Sequence, residues 1–511
     1  MNMMEESARS DPEPNEPARP HTTEIRVTQD AMDAPPGTGI EHLDAADLDN
    51  ARRFVAQHGS RVRYDHTYDE WRYYDGTRWV KDELRRAVEL MKQTAEATYS
   101  EALASGDKDF IRQARAFRNY NGLRNALACT ASMPEIAVKA SDWDRNIDLF
   151  NVKNGTIDLV TGTIRHHSSA DMITMIAGCD FEEGRQAVFF PACLAAYWPN
   201  LAGEDDGIIE FLTTTMGYCL SGRNTEKMFM LLVGTGDTGK TTFMHAIEAV
   251  WGEYFRTVDW STFAQQREND GARHRTDLAR LVGARIVSAS EGEEGCRMSD
   301  GMIKRVTGRS KLIVRDLLSK PFELPSTYKI WLDTNHGPHF KGQDRAMRNR
   351  VRRVPFRNII SAEQQHSFRL RYGNLDERLE EDAPGVLNIA LAGFRRFQET
   401  GRIVVPGTIQ TATKEYMDGE DVLGEFIRDR CSEKAQAQTP RLELFRQYQE
   451  WARESGEFVM SARRFYAMLG EREGIRVVKY EGERRIVGLA VNKTMSEREQ
   501  ERGLFGGRTF G

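Results

Sequence analysis

Five consecutive apolar residues, Phe229-Met230-Leu231-Leu232-Val233, run into Gly234-Thr235-Gly236-Asp237-Thr238-Gly239-Lys240-Thr241, and helical patterning follows over 241–250. An unbroken apolar run predicts a strand buried on both faces, and the glycines that follow predict a tight turn into a helix. The stretch fits GxxxxGK[ST] in its required setting of strand before and helix after. Glycine lets the backbone wrap an anion, and a helix N-terminus offers free N–H groups and a positive dipole end. Gly234, Gly236, Gly239 and Thr242 are therefore expected to cradle phosphates. Lys240 is expected to reach the β- and γ-phosphates, and the Thr241 hydroxyl to hold Mg²⁺. The expected ligand is ATP with Mg²⁺. A loop of this kind is silent on what the energy does.

A hydrolytic site also needs a carboxylate at the tip of a neighbouring strand. Ala284 to Ser290 reads as a strand ending at Glu291, which is the first choice for that carboxylate and a metal partner. Glu293 is the second choice, and Glu294 reads as solvated. Tyr328 to Leu332 is another strand-like run, ending in Asp333-Thr334-Asn335. Asn335 is placed to orient water and sense the γ-phosphate, although Gly337-Pro338 also suits it to a turn. Arg345, Arg348, Arg350, Arg352 and Arg353 follow, and arginine supplied by a neighbouring subunit is a known way to neutralise transition-state charge.

The rest of the 511 residues suggests three or four units. Residues 1–47 carry six of the sixteen prolines, many acids and no apolar period, and read as a disordered tail. Residues 48–200 read as an α+β region, with a hairpin at Asp75-Gly76, helices from Asp82 to Met133 and a second hairpin around Asn154-Gly155. Trp71 and Trp79 suit either a packed hairpin core or base stacking. Residues 201–400 alternate strand-like and helical runs in an α/β pattern. Beyond Asp418 the pattern is helical and closes with a hairpin, and 492–511 read as a flexible tail. Leu442, Phe445, Tyr448 and Trp451 are spaced to line one helix face.

The net charge of −6 conceals an uneven distribution. Residues 1–50 hold twelve acids against three arginines, whereas 300–357 hold fourteen Lys and Arg against five acids. The second stretch is the footprint of a surface facing phosphates. The six cysteines form no CxxC pair, which argues against a disulfide framework or a structural zinc site. No signal peptide and no membrane-length apolar run is visible, so a soluble intracellular protein is expected.

Gly234–Phe243, Ile286–Gly295, Lys304–Gly308, Pro321-Phe322-Glu323, Thr334-Asn335 and Arg350–Phe356 fall in the order of superfamily-3 helicases. More narrowly, the chain resembles the phage–plasmid primase/helicase family related to the poxvirus primase–helicase. Asn154 to Gly162 resembles the signature of that family's N-terminal accessory domain, and 418–491 resembles its C-terminal winged helix. The resemblance implies a P-loop (AAA+-like) helicase core, with Lys240 and Thr241 as Walker A, Glu291 as Walker B, Asn335 as sensor and Arg350 as inter-subunit finger. It implies DNA contact by Lys311, Arg315 and Lys320, and the winged helix adds Arg463, Arg464 and Lys479.

Three departures stand out. Thr238 replaces a common Asn, and Asn349 replaces a common Arg, which leaves Arg348 in play beside Arg350. Only a short segment precedes the accessory region, so a helicase without its own primase is expected. The implied protein is an ATP-dependent replicative helicase of a phage or mobile element in the bacterial cytoplasm. It would be a ring, taken as a homo-hexamer, moving 3′ to 5′ on single-stranded DNA and meeting forked or origin duplex and a separate primase or other replisome protein. The alternatives are an origin-binding initiator with an ATP assembly switch, and a primase–helicase with an unrecognised primase in 48–200.

Overall fold

The computed structural model describes residues 46–492, apart from 200–206, 265–275, 291–296, 309–311, 315–320, 336, 341–344, 420–421, 456–458, 471, 473 and 481–482. The chain enters through α1 (Asp47–His58), β1 (Val62–Asp65), β2 (Glu70–Tyr74), β3 (Trp79–Lys81), α2 (Arg86–Ser105), α3 (Lys108–Phe117), α4 (Tyr120–Ala131) and β4 (Ala137–Val138). The strands form one sheet in the order β3-β2-β1-β4. The turn predicted at Asp75-Gly76 forms because the Asp75 carboxylate accepts the Thr77 and Arg78 N–H groups at 2.8 and 2.9 Å. Trp79 is fully buried and its indole donates to the Ser169 carbonyl at 2.8 Å. Of the two roles open to it, the packed core is the one it takes.

A three-stranded meander follows, β5 (Leu149–Val152), β6 (Gly155–Asp158) and β7 (Thr163–Arg165), then α5 (Phe189–Tyr197) and α6 (Ile208–Leu220). Next come β8 (Phe229–Val233), α7 (Lys240–Trp251), β9 (Phe255–Val258), α8 (Thr276–Ala279), β10 (Ile286–Ser290), β11 (Arg297–Met298), α9 (Asp300–Val306), β12 (Leu312–Val314), β13 (Phe322–Leu324), β14 (Lys329–Thr334), β15 (His339–Phe340), α10 (Arg345–Arg348) and β16 (Val351–Pro355). Five of these strands form one parallel sheet in the order β16-β8-β14-β10-β9. The loop-bearing strand β8 is thus flanked by β14 and β16 rather than by its successors in sequence. Its apolar run is continuous because both faces are covered.

One face packs on a cluster that includes Leu212, Ile247, Trp251 and Phe397; the other packs on Leu281, Ile303 and Met417. The first cluster also takes in Phe150, Ile157 and Phe190, so a single core crosses residue 200. After β16 come α11 (Ala362–Tyr372), α12 (Leu375–Thr400), which packs on the first face, and α13 (Gly407–Gly419), which lies along the edge strand β16, where the Arg353 N–H donates to Thr413 Oγ1 at 3.0 Å. Helices α6 and α12 meet backbone to backbone: a Cβ on Gly217 would overlap Phe394 N and the Ala390 carbonyl, and one on Gly393 would overlap the Thr213 carbonyl. In the antiparallel pair β12–β13, Val314 lies opposite Phe322, and Tyr68 sets its ring edge-on to Phe322, 5.3 Å between centroids.

The C-terminal unit comprises α14 (Val422–Arg430), β17 (Cys431–Pro440), α15 (Arg441–Glu454), α16 (Ala462–Gly470), β18 (Arg476–Tyr480) and β19 (Glu483–Val491), its sheet ordered β17-β19-β18. Two details correct the sequence expectation. Residues 431–440 form a strand where a helical pattern was expected, because they pair along β19. On α15 the buried face is Leu444, Tyr448 and Trp451, while Leu442 is 83% exposed. Leu442 lies two residues before Leu444, too far round a 3.6-residue helix to share its face.

Candidate nucleotide site

Parallel strands aim their carboxyl ends at one crevice, where ligands of such sheets are held. At that crevice β8 ends at Val233 and passes into the loop, β14 ends at Thr334 and presents Asn335, and β10 ends at Ser290, opposite Asp333. The loop turns through Asp237 (φ 58°) and Gly239 (φ 87°) before α7 opens at Lys240. Gly239 is required twice over, by its left-handed backbone and because a Cβ there would overlap the Tyr197 ring. Gly234 is pressed against the Phe356 carbonyl, while a Cβ on Gly236 would meet nothing within 4 Å. The loop is therefore walled behind and open in front.

Lys240 is largely buried and its ammonium is bound within the loop. It donates to the Gly234 and Thr235 carbonyls at 2.6 and 2.9 Å and to Asn335 Oδ1 at 3.0 Å. The two residues singled out from separate strand ends thus meet directly. Thr238, the residue that departs from the common Asn, is buried and donates to the Thr235 carbonyl at 2.9 Å, closing the loop on itself. Thr241 is exposed at the first turn of α7, and Thr242 is half-buried. Open N–H groups at a helix start, a lysine resting on carbonyls and an exposed hydroxyl together fit a triphosphate with its divalent cation.

Arg350 lies at the other end of the sheet. Its carbonyl accepts the Phe229 N–H at 2.9 Å, at the start of β8, whereas the loop begins after Val233. Four residues of strand separate the two, roughly 13 Å. Arg350 donates to Thr307 Oγ1 at 3.0 Å and to the Ala346 carbonyl at 2.7 Å, and it does not approach its own loop. Arg348 pairs with Asp418 at 2.6 Å.

The basic stretch is less of a surface than its count suggested. Lys329 is fully buried at the start of β14, and Arg352 and Arg353 are half-buried. Arg463 and Lys479 are exposed. Glu291, Glu293, Lys311, Arg315 and Lys320 lie outside the described residues, as do the side chain of Arg464 and the two tails.

Sequence reasoning missed the wall behind the loop. Tyr197 and Phe189 come from α5 (Phe189–Tyr197), a stretch that carries no motif. Burial raises the Tyr197 phenol and pushes the Cys193 thiol up to about 12. Trp198 donates to the Pro355 carbonyl at 3.0 Å, tying the end of α5 to the end of β16. Asp382 of α12, 5% exposed, accepts the Val188 and Phe190 N–H groups at 2.8 and 2.7 Å and so caps α5. No local spacing signals these partners. Among the described residues there is no cluster of three or more metal-ligating side chains, and no helix is long and apolar enough to cross a membrane.

Comparison with known proteins gives the same direction as the motifs. Residues 51–215 match the family model described as D5 N terminal like. The chain is 24% identical over 297 residues to "Putative helicase L207/L206" of Acanthamoeba polyphaga mimivirus, covering 56% of this chain and 31% of that protein. It is also 24% identical over 237 residues to "Putative helicase 022R" of Frog virus 3, covering 44% of this chain and 24% of that one. It thus spans about a quarter to a third of the length of these curated relatives. Among solved structures, the NrS-1 C terminal region aligns with 12% identity, covering 88% of this chain and all of that one at a TM-score of 0.47. JCV Helicase aligns at 0.31, also with 12% identity, covering 75% of this chain and 94% of that one. The chain is thus similar over residues 51–215 to the D5 N terminal-like family, and over longer stretches to two viral proteins named as putative helicases.

Proposed function

We propose that this chain is an ATP-hydrolysing DNA helicase subunit of a replication machinery, acting as a ring. The observation that carries the reading is the 3.0 Å bond between the Lys240 ammonium and Asn335 Oδ1, across the tips of adjacent parallel strands. It joins a phosphate-binding lysine to a polar residue placed to report on the γ-phosphate. On nucleotide binding, Lys240 would exchange the Gly234 and Thr235 carbonyls for phosphate oxygens, and Asn335 would turn to the attacking water. Mg²⁺, held through Thr241, would neutralise charge on the phosphates. Glu291 remains the proposed carboxylate that polarises the water. Arg350, too far from its own loop, is assigned to the nucleotide of a neighbouring copy, which makes the ring, taken as a hexamer, a requirement of the chemistry. The AAA+-like core and a winged helix built from α14–α16 and β17–β19 belong to the same reading, with Arg463, Arg464 and Lys479 on duplex DNA. Strand contacts by Lys311, Arg315 and Lys320 would be to phosphates and insensitive to sequence.

The test is ATP hydrolysis with and without single-stranded DNA, followed by strand displacement on forks with a 3′ or a 5′ tail. Hydrolysis stimulated by DNA and displacement from the 3′-tailed fork are expected, with Lys240→Ala lowering hydrolysis at least about a hundredfold. Hydrolysis with no displacement on either fork would overturn the motor and leave an assembly switch.

A further inference from the structure

A cavity of about 230 Å³ opens directly beside the phosphate-binding loop. Asp237, Gly239 and Thr242 form its near wall, and the rest of the lining includes Phe189 and Tyr197 of α5 and Gln365 and Phe368 of α11. Gly239 of the loop and Thr242 of α7 are therefore shared between the phosphate cradle and the cavity. A nucleotide with its phosphates on the loop places its next moiety here. Three rings share the lining with aliphatic and charged neighbours, Asp237 and Arg369 among them; Phe189 and Phe368 stand edge to face at 6.2 Å, and Phe368 is the partly exposed ring of the pair. A cavity that presents aromatic rings next to a phosphate site suits a nucleobase, which stacks on such rings. Gln365 adds polarity. Its amide nitrogen already donates to the Ile360 carbonyl at 3.0 Å, which leaves its amide oxygen as the group that accepts. The 6-amino group of adenine matches that acceptor, and the 6-carbonyl that guanine carries at the same place does not.

We infer that this cavity holds the adenine of the bound nucleotide, stacked on Phe368 and read by the Gln365 oxygen. The base is thus recognised in part by α5, a helix of the D5 N terminal-like region, and not by the parallel-sheet core alone. The inference rests on the phosphate-loop reading above.

Calorimetric titration of the full chain with Mg²⁺ and ATP, GTP or tripolyphosphate tests both. ATP is expected to bind more tightly than GTP. Phe368→Ala weakens ATP about tenfold while leaving tripolyphosphate unchanged, which also shows that the variant is folded. Gln365→Leu levels the preference between ATP and GTP. ATP affinity unmoved by Phe368→Ala, or lost together with tripolyphosphate affinity, overturns the base pocket. A preference that survives Gln365→Leu overturns the adenine assignment. Lys240→Ala is expected to weaken ATP and tripolyphosphate alike; if it weakens neither, the phosphate-loop reading itself fails.

Discussion

A lysine inside a parallel sheet has no water to keep it charged. Lys329 donates to the Ser221 carbonyl, and its ammonium lies 4.5 Å over the Tyr218 ring. Burial is the main cause that pushes its pKa down to about 7, with Cys219 opposing the fall. The unfolded chain holds this proton up to about pH 10.4, so between those limits the unfolded state binds more protons than the folded one. Stability should therefore rise with pH from about 7 to about 10, and the burial cost is greatest below 7. Lys329→Met is expected to raise the thermal midpoint more at pH 6.5 than at pH 9.5. A gap between variant and parent that does not change with pH would contradict this. In the sequence Lys329 simply added to a basic count, because burial of one charge in a strand leaves no mark on composition. Lys240 and Asn335 were legible for the opposite reason: each follows an apolar strand run, Lys240 at the end of a glycine-rich loop and Asn335 directly at the tip.

Helices were legible by period where they are amphipathic, and less so where they serve as struts. Helix α5 is held by a carboxylate nearly two hundred residues away, so no window of sequence contains the reason for its start. Removing that carboxylate orphans the buried Phe190 N–H and the part-buried Val188 N–H, and Asp382→Ala should cost about 1–2 kcal/mol. It should also weaken ATP binding, since Tyr197 and Phe189 ride on the same helix; chemical denaturation and calorimetry together would check both. The α6–α12 contact makes a second demand. Gly217→Ala forces the two backbones apart and should cost about 1–3 kcal/mol by overpacking, read as a lower thermal midpoint. A midpoint equal to the parent's would mean that the helices can slide. Strand β17 was illegible because its polar residues have little intrinsic preference for strand and take that form only against β19.

The position of Arg350, remote from its own loop, has a consequence for the assembly. If neighbouring copies share each site, Lys240→Ala and Arg350→Ala chains, each inactive alone, should regain part of their hydrolysis when mixed. One interface in such a ring pairs an intact loop with an intact arginine. Failure to recover activity over a range of mixing ratios would count against a shared site. The region match and the physical body divide this chain differently. The D5 N terminal-like match stops at residue 215, inside α6 (Ile208–Leu220). The same helix buries Leu212 and Met216 in the cluster shared with α12, and Gly217 touches α12 directly. The matched block thus ends inside a helix that packs on residues beyond it. Wherever it is inherited in this form, a helix to lie against α6 has to be inherited with it.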